Sequence, residues 1–367
     1  MLRKVHRWMG LILMLPLMLQ GLTGALLIII PLLLPGPPSV GDNGPRASTE
    51  AMIAASRASM PAGMIPLRFA PPAEGRSAIV TYGPPGERHP TFEVFVNPVH
   101  PAVMGTYTIP ATIRFLHTVH ADLFLLPYGQ NATGIMGIVL TAMAVTGLII
   151  WCPSTALWQS GKWRRTTMVS RRARGLRLWR ELHVSMGFWL SGMLLFMAVS
   201  GTILAFPFMR PLFGDTRPAP PHQHLPSATA APGEAGLDAA LQALRTRMPE
   251  ATLLSVQLGD SPARQSLEVI LPTYGANRPA SMHYDAQADS LRLTRDPGQQ
   301  RNGERSFQWL HMMHEARLVA PRPVAIVWKA MVLACGVGLV FFSLSGGVMW
   351  VMRRRNSARR KAPVMAD

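Results

Sequence analysis

The sequence predicts a membrane protein, mainly α, whose four-helix transmembrane core is built from two parallel repeats and carries two small α+β modules on one side. Three observations lead there. Hydrophobic residues make up 49% of the 367 and charged residues only 15%, which is too apolar for an ordinary soluble chain. Four apolar stretches are long enough to cross a hydrocarbon core of ~30 Å, which takes ~20 helical residues. The motifs flanking those stretches also occur twice, in the same order.

The first span runs from about Trp8 to Leu34. Its apolar part far exceeds the ~7–15 residues of a signal-peptide core and no Ala-x-Ala site follows, so it reads as a retained span. The others are about Ala132–Trp151, Val184–Phe208 and Val324–Met352. The chain therefore divides into transmembrane helix 1 (1–34), an outer module (35–113), a histidine motif with transmembrane helix 2 (114–152) and a basic loop (153–182). Transmembrane helix 3 (183–208), a second outer module (209–305), a second histidine motif with transmembrane helix 4 (306–352) and a basic tail (353–367) complete it.

The net charge of +17 is concentrated. Arg3, Lys4 and Arg7 precede the first span. Lys162, Arg164, Arg165, Arg171, Arg172, Arg174, Arg177 and Arg180 lie between spans two and three, and six further basic residues follow span four. All of these lie on one side of the spans, so the positive-inside rule makes that side cytoplasmic, with both termini inside and both long loops outside. Because the basic residues abut apolar spans, they read as topology signals in a lipid bilayer, and no nucleic acid is expected as partner. The cysteines, Cys152 and Cys335, do not suit an exported disulfide, and the absence of CxxCH rules out covalent haem attachment.

The two halves align motif by motif. His6 precedes Gly24 of "LTGALL" by 18 residues, as His183 precedes Gly201 of "VSGTIL". A Pro-rich segment follows each span ("PGPPSVGDNGP", "RPLFGDTRPAPPHQHLP"). A short helical pattern comes next ("STEAMIAASRASM", "GLDAALQALRTRM"). Strand-like runs follow: "IPLRFA", "SAIVTY" and "TFEVFVNP" in the first copy, "LLSVQL", "SLEVILP" and "SMHYDA" in the second. "FLHTVHADLFLL" then matches "WLHMMHEARLVA", and each copy closes on a glycine-rich span and a tryptophan, "TGLIIW" or "SGGVMW". Both halves run in the same direction, so they are parallel repeats about an axis along the membrane normal.

The repeat turns scattered histidines into pairs: His6 with His183, His117 with His311, His120 with His314. His89, His100, His222, His224 and His283 have no counterpart. One imidazole from each half suits a haem iron, which has an axial position on each face. The inner pair His6 and His183 and an outer pair would hold two b-type haems, bound non-covalently, with Arg7, Arg180, Arg114 and Arg317 near enough in sequence to meet propionates. Eighteen residues is five helical turns, which puts Gly24 on the face of His6 some ~27 Å further out, leaving bare backbone where a second porphyrin needs room. The same holds for Gly201 and His183, while Gly10 and Gly187 give space beside the inner haem. For any one of these residues an interfacial or helix-packing role is the simpler reading. Their repetition as a set favours haem over zinc, since only Asp122 and Glu315 offer further ligands. Of the outer histidines His120 and His314 are preferred, because two residues three apart on one helix cannot take opposite faces of one iron. His117 and His311 are left to orient a propionate, relay a proton or meet substrate, and the choice between the two outer pairs stays open.

These motifs, "HRWMG" with "LTGALL", "LHVSMG" with "VSGTIL", "LHTVHADLFL" with "VTGLIIWCPS" and "WLHMMHEA" with "SGGVMW", resemble the PepSY-associated transmembrane proteins, often iron-regulated, which include bacterial siderophore reductases. The resemblance covers nearly the whole chain. It implies a bacterial inner-membrane protein with PepSY-like periplasmic modules, clearest at 236–295, and haems held by His6, His183, His120 and His314. It also implies delivery of electrons to ferric siderophores in the periplasm. The departure is "MMHEARLVAPRP", which has no glycine soon after His314.

The expected activity is a ferric-siderophore reductase: an electron from a quinol or cytoplasmic reductase passes inward to outward and leaves as Fe(III) becomes Fe(II), which oxygen ligands hold less tightly. The chain carries no nucleotide motif, since "GVGLVF" at Gly336 lies within a span and follows no strand, so the donor is external. Two alternatives are a siderophore or haem permease without redox work, and a membrane-anchored sensor. Against the first, four spans give little room for a pathway and matched histidines at two depths fit fixed cofactors better; the second leaves the repeated histidines unexplained.

Overall fold

A computed structural model describes residues 1–41, 44–86, 90–125, 127–206, 208, 209, 211, 236–258 and 264–361. In chain order the elements are α1 (Leu2–Ile12), α2 (Met14–Leu33), α3 (Thr49–Arg57), β1 (Ile65–Ala70), β2 (Ala78–Gly83), β3 (Phe92–Val96), β4 (Val103–Thr108), α4 (Ala111–Asp122), α5 (Gly129–Trp151) and α6 (Thr155–Gln159). A 3-10 turn at Lys162–Thr167 is followed by α7 (Gly175–Ala205), α8 (Leu237–Arg247), β5 (Thr252–Gln257), β6 (Arg264–Ile270), β7 (Ala280–Asp285), β8 (Ser290–Arg295), α9 (Asn302–His314) and α10 (Arg322–Lys361). The chain forms two compact units, Met1–Leu33 with Ile113–Thr216 and Asn302–Asp367, and Leu34–Thr112 with Arg217–Arg301. The Pro-rich segment before α8, with His222 and His224, and His89 lie outside the described residues.

Among the described residues the first unit contains four helices long and apolar enough to cross a membrane: Met14–Leu33, Gly129–Trp151, Gly175–Ala205 and Arg322–Ala358. On α5, Ile135, Ile138, Val145 and Ile149 form a stripe at helical spacing and stay 41–57% exposed. Such a stripe would be a liability in water, but it matches lipid tails. The first span is shorter than its apolar sequence. The helix is interrupted at Leu13, because Pro16 has no N–H for the carbonyl of Ile12 and its ring crowds that turn. His6 thus stands on α1 and Gly24 on α2, whereas His183 and Gly201 share the unbroken α7.

Glycines set the helix crossings. A Cβ at Gly21 of α2 would lie 2.6 Å from the carbonyl oxygen of Gly336 on α10, and one at Gly336 would lie 2.9 Å from that of Gly21. Only bare backbone allows this approach. On the other side, Gly134 and Gly137 of α5 meet Phe206 and Thr202 at the end of α7. Between the crossings Leu17, Met136, Met193, Leu194, Val332 and Leu339 form the buried core.

The second unit is one antiparallel sheet of eight strands in the order β4-β3-β2-β1-β5-β6-β7-β8, with α3 and α8 packed on it. Arg68 pairs with Gln257 and Phe69 with Val256 at the β1–β5 seam, so each half's four-stranded meander joins the other edge to edge. Alternation drives one face inward: Val80 and Tyr82, Val94 and Val96, Leu267 and Val269 pack with Ile53 of α3 and Leu237 of α8. Full burial of such side chains stabilises by ~1.5–3 kcal/mol each. The N-terminal ends of the two helices are also linked: Thr49 N–H donates to Asp238 Oδ1, and Asp238 N–H reaches Glu50 Oε1. The outermost strands β4 and β8 are additions to the sequence reading. Each is an edge strand with mostly exposed or half-buried residues, so neither carries an apolar run that marks it.

Candidate functional site

Four histidines of the first unit share one local geometry. Nδ1 of His6 on α1 lies 3.0 Å from Thr146 Oγ1 on α5, and Nδ1 of His183 on α7 lies 2.7 Å from Ser345 Oγ on α10. Nδ1 of His120 on α4 lies 3.1 Å from Thr23 Oγ1 on α2, and Nδ1 of His314 on α9 lies 2.7 Å from Ser200 Oγ on α7. Each hydroxyl donates its own proton to a backbone carbonyl one turn earlier: Thr146 to Ala142, Ser345 to Phe342, Thr23 to Leu19, Ser200 to Met197. A hydroxyl has one proton, so an oxygen that gives it to the carbonyl accepts from the ring, and Nδ1 then carries the N–H. The tautomer that results leaves the lone pair on Nε2, where a metal ligand needs it.

Each hydroxyl is followed in sequence by a glycine: Gly24, Gly147, Gly201, Gly346. A Cβ on Gly24 would fall 3.0 Å from Cε1 of His120, one on Gly201 3.1 Å from Cε1 of His314, and one on Gly147 3.4 Å from Cε1 of His6. The sequence reading kept the space at Gly24 and Gly201 for a second porphyrin. In the structure the imidazoles themselves occupy it, because a ring lying flat on the helix is what brings Nδ1 to the neighbouring hydroxyl.

His6 and His183 both line a cavity of about 1390 Å³, above the ~300–1,000 Å³ typical of small-molecule pockets. Gly10 and Gly187 lie in its wall, and Arg7 and Arg180 are joined there by Arg3 and Arg353. Phe342 meets the His183 ring edge-on at 5.2 Å.

The outer histidines separate by environment. Burial first, and the nearby His120 second, bring His314 down to about 4. Burial first, and His117 second, do the same for His120. Both rings are therefore neutral at ordinary pH. His117 is exposed, and His311 Nε2 is bonded to Glu315 Oε1 at 2.9 Å, with Glu315 also paired to Arg317. Burial alone would raise Glu315, but the His311 bond and the nearby positive charges outweigh it and hold the carboxyl low. Two ties place the buried pair: Gln20 Nε2 donates to the carbonyl of His120 at 2.7 Å, and Trp328 Nε1 to that of Met313 at 2.9 Å. The missing glycine after His314 is made up by Ala316, which takes the left-handed conformation (φ 54°). Arg317 N–H then reaches Met312 O at 2.9 Å and Ala316 N–H reaches Met313 O, closing α9 in a Schellman turn.

The four hydroxyls were not singled out from sequence, although all stand in the quoted motifs. The Ser/Thr-Gly dipeptide occurs seven times, and the signal that picks these four is its recurrence at matched places in the two halves. His100 and His283 belong to the second unit, both exposed.

Four helices long and apolar enough to cross a membrane, with half-buried, hydroxyl-bonded histidines beside them at two places, are the architecture of a membrane protein. The family described as PepSY-associated TM region matches residues 3–353, and the chain belongs to it. No curated protein matches the chain.

Proposed function

We propose that the chain is a di-haem transmembrane oxidoreductase of the bacterial inner membrane, passing electrons from the basic, cytoplasmic side to a ferric siderophore in the periplasm. One observation carries the reading: four imidazoles, two from each half, each with Nδ1 fixed by a hydroxyl and the Nε2 lone pair left for a metal. The residues fit haem. His6 and His183 would ligate one haem and His120 and His314 the other. The cavity at the first pair is large, walled by Gly10 and Gly187, and rimmed by arginines suited to propionates. When bound, the two groups supply one-electron Fe(III)/Fe(II) couples at two depths, which is what a path across the bilayer requires.

The protein's own part is to hold neutral imidazoles in one tautomer, to keep water from the buried pair and to present carboxylate-binding arginines at the inner mouth. His117 and the His311–Glu315–Arg317 group lie beside the outer pair, suited to binding charge or relaying a proton there. Reading the chain as two parallel repeats with PepSY-like modules is supported by the matched histidine–hydroxyl bonds and by the sheet, in which each half contributes a helix and a four-stranded meander. In the proposed reaction reduction would release the iron, since Fe(II) is softer than Fe(III) and leaves oxygen donors more readily.

The test is spectroscopic. Purified protein should show a b-type Soret band and a reduced α band with two haems per chain, and His183→Ala should remove about half of the pigment. Reduced protein mixed with candidate ferric chelates should be reoxidised as Fe(II) appears. A colourless protein that still moves a chelate across vesicles would mean a permease instead.

A further inference from the structure

We propose that electrons enter at the basic end through a ladder of aromatic rings, Trp158, Trp163, Phe188 and Trp151, and that the donor docking there is a small acidic protein carrying a one-electron flavin or iron–sulfur centre. This rests on the haem reading and extends it to the donor. Trp151 ends α5 and Phe188 stands on α7; their ring centroids are 4.4 Å apart, and both line the cavity of His6 and His183. Trp158 on α6 meets Trp151 edge-on at 5.9 Å and Trp163 at 4.8 Å, and Trp163 meets Phe188 at 6.1 Å. The rings thus run unbroken from the cavity wall to the surface, where Trp158 is 42% exposed.

The loop that carries them is fastened down. Trp151 Nε1 donates to Thr166 Oγ1 at 3.1 Å, Ser185 Oγ to Thr167 O at 2.7 Å, and Ser170 N–H to Glu181 Oε2 at 2.8 Å. Anchoring at a membrane surface asks only that a tryptophan lie between lipid and water. It does not ask for three of them in a connected run of which Trp151 lines a cavity. Trp350, at the matching place in the second half, also lines the cavity, but its ring is covered by the Arg354 guanidinium at 4.4 Å. A second run of rings, Trp179, Phe341 and Phe342 at 6.2 and 5.9 Å, reaches His183 at 5.2 Å; the run from Trp158 differs in starting at an exposed tryptophan.

Lys162, Arg164 and Arg165 flank Trp163, with Arg164 over its ring at 5.8 Å, and residues 153–180 include no Asp or Glu. A positive rim around an exposed ring fits an acidic protein and steers its approach. A quinol arriving through lipid would have no use for it. One electron leaves the reduced carrier and is taken up at the His6–His183 site. No bond forms or breaks, no proton need move, and the rings act as a tunnelling bridge, themselves neither oxidised nor reduced.

The test uses the haem-loaded full chain in nanodiscs and flavodoxin hydroquinone as probe. Wild type should be reduced by flavodoxin, and Trp158→Leu and Trp163→Leu should each slow that step about tenfold. A Lys162→Glu/Arg164→Glu double variant should also slow it about tenfold and lose most of the salt dependence. Trp8→Leu, at the same end, exposed and in no ring pair among the described residues, should leave the rate unchanged. Dithionite should reduce all variants alike, with one spectrum. Binding of oxidised flavodoxin to the chain should weaken in the double variant, a readout independent of turnover. The proposal is overturned if the ladder variants accept electrons from flavodoxin at the wild-type rate or if only a quinol reduces the protein. It also fails if the double variant changes binding to phosphatidylglycerol vesicles but not to flavodoxin. Absence of any dithionite-reducible pigment would instead count against the haem reading, and flavodoxin binding would still decide the docking face.

Discussion

Ser200 Oγ lies 2.7 Å from Nδ1 of His314 while giving its own proton to the carbonyl of Met197, and the Ser200 residue is fully buried. The serine is therefore an acceptor that cannot turn away to water. It fixes both the rotation of the ring and the nitrogen that carries the proton. On the proposed haem reading, Ser200→Ala should lower haem affinity at the His120–His314 site by ~10–100-fold, the usual effect of losing a residue that orients a metal ligand. Haem transfer to apomyoglobin would measure this. Ser200→Thr keeps the oxygen and should retain most of the affinity, whereas a residue acting only by packing would show no such rescue.

Gly201 is the other half of the arrangement. A Cβ there would press on His314 Cε1 at 3.1 Å, tighter than ordinary contact, so Gly201→Ala should tilt the ring off Ser200. The expected result is weaker haem retention with a changed low-spin EPR signal. Gly192→Ala, on the same helix with nothing within 4 Å, should change neither.

The histidines were legible because they recur, and repetition separates a set from single residues that would otherwise pass as interfacial. The hydroxyls were not. One serine or threonine beside a glycine in an apolar helix is the ordinary signature of close helix packing, and packing is what Gly21 and Gly336 do here. The break at Leu13 could have been read from Pro16, but a proline within a long apolar stretch is tolerated in membranes and does not announce a stop. In the second unit the central strands were legible from alternation. The edges β4 and β8 were not, because an edge strand is held by its neighbour's backbone more than by buried side chains.

The α2–α10 crossing gives a stability prediction independent of any ligand. At Gly336 an added Cβ meets backbone, the carbonyl of Gly21 at 2.9 Å, which cannot swing aside as a side chain can. Gly336→Ala should therefore cost ~1–3 kcal/mol by overpacking and force the two helices apart. It should appear as a lower thermal midpoint in detergent. In the sheet unit Ile53→Ala, at a fully buried site, should cost ~2–5 kcal/mol, read as loss of protease resistance there.

The buried outer pair makes a pH prediction for protein prepared without haem. Both His120 and His314 are held down to about 4 in the folded chain, first by burial, against an ordinary value of 6.5. A lowered value means the unfolded chain binds the proton more readily. The stability tied to neutral rings is thus complete above pH 6.5 and is lost as pH falls through about 4. Glu315, also held below its usual range, acts in the same direction but lower on the scale, losing its contribution as it protonates. Thermal midpoints should therefore begin to drop near pH 6.5, well above the range where carboxylates titrate. In the His120→Gln/His314→Gln protein, which has no ring to protonate, the drop should begin only in the carboxylate range. Occupying Nε2 with a metal removes the proton's site, so haem-loaded wild type should follow the variant's flatter curve rather than that of the empty protein. If the empty wild type and the double variant lose stability at the same pH, the two rings are not buried as neutral imidazoles.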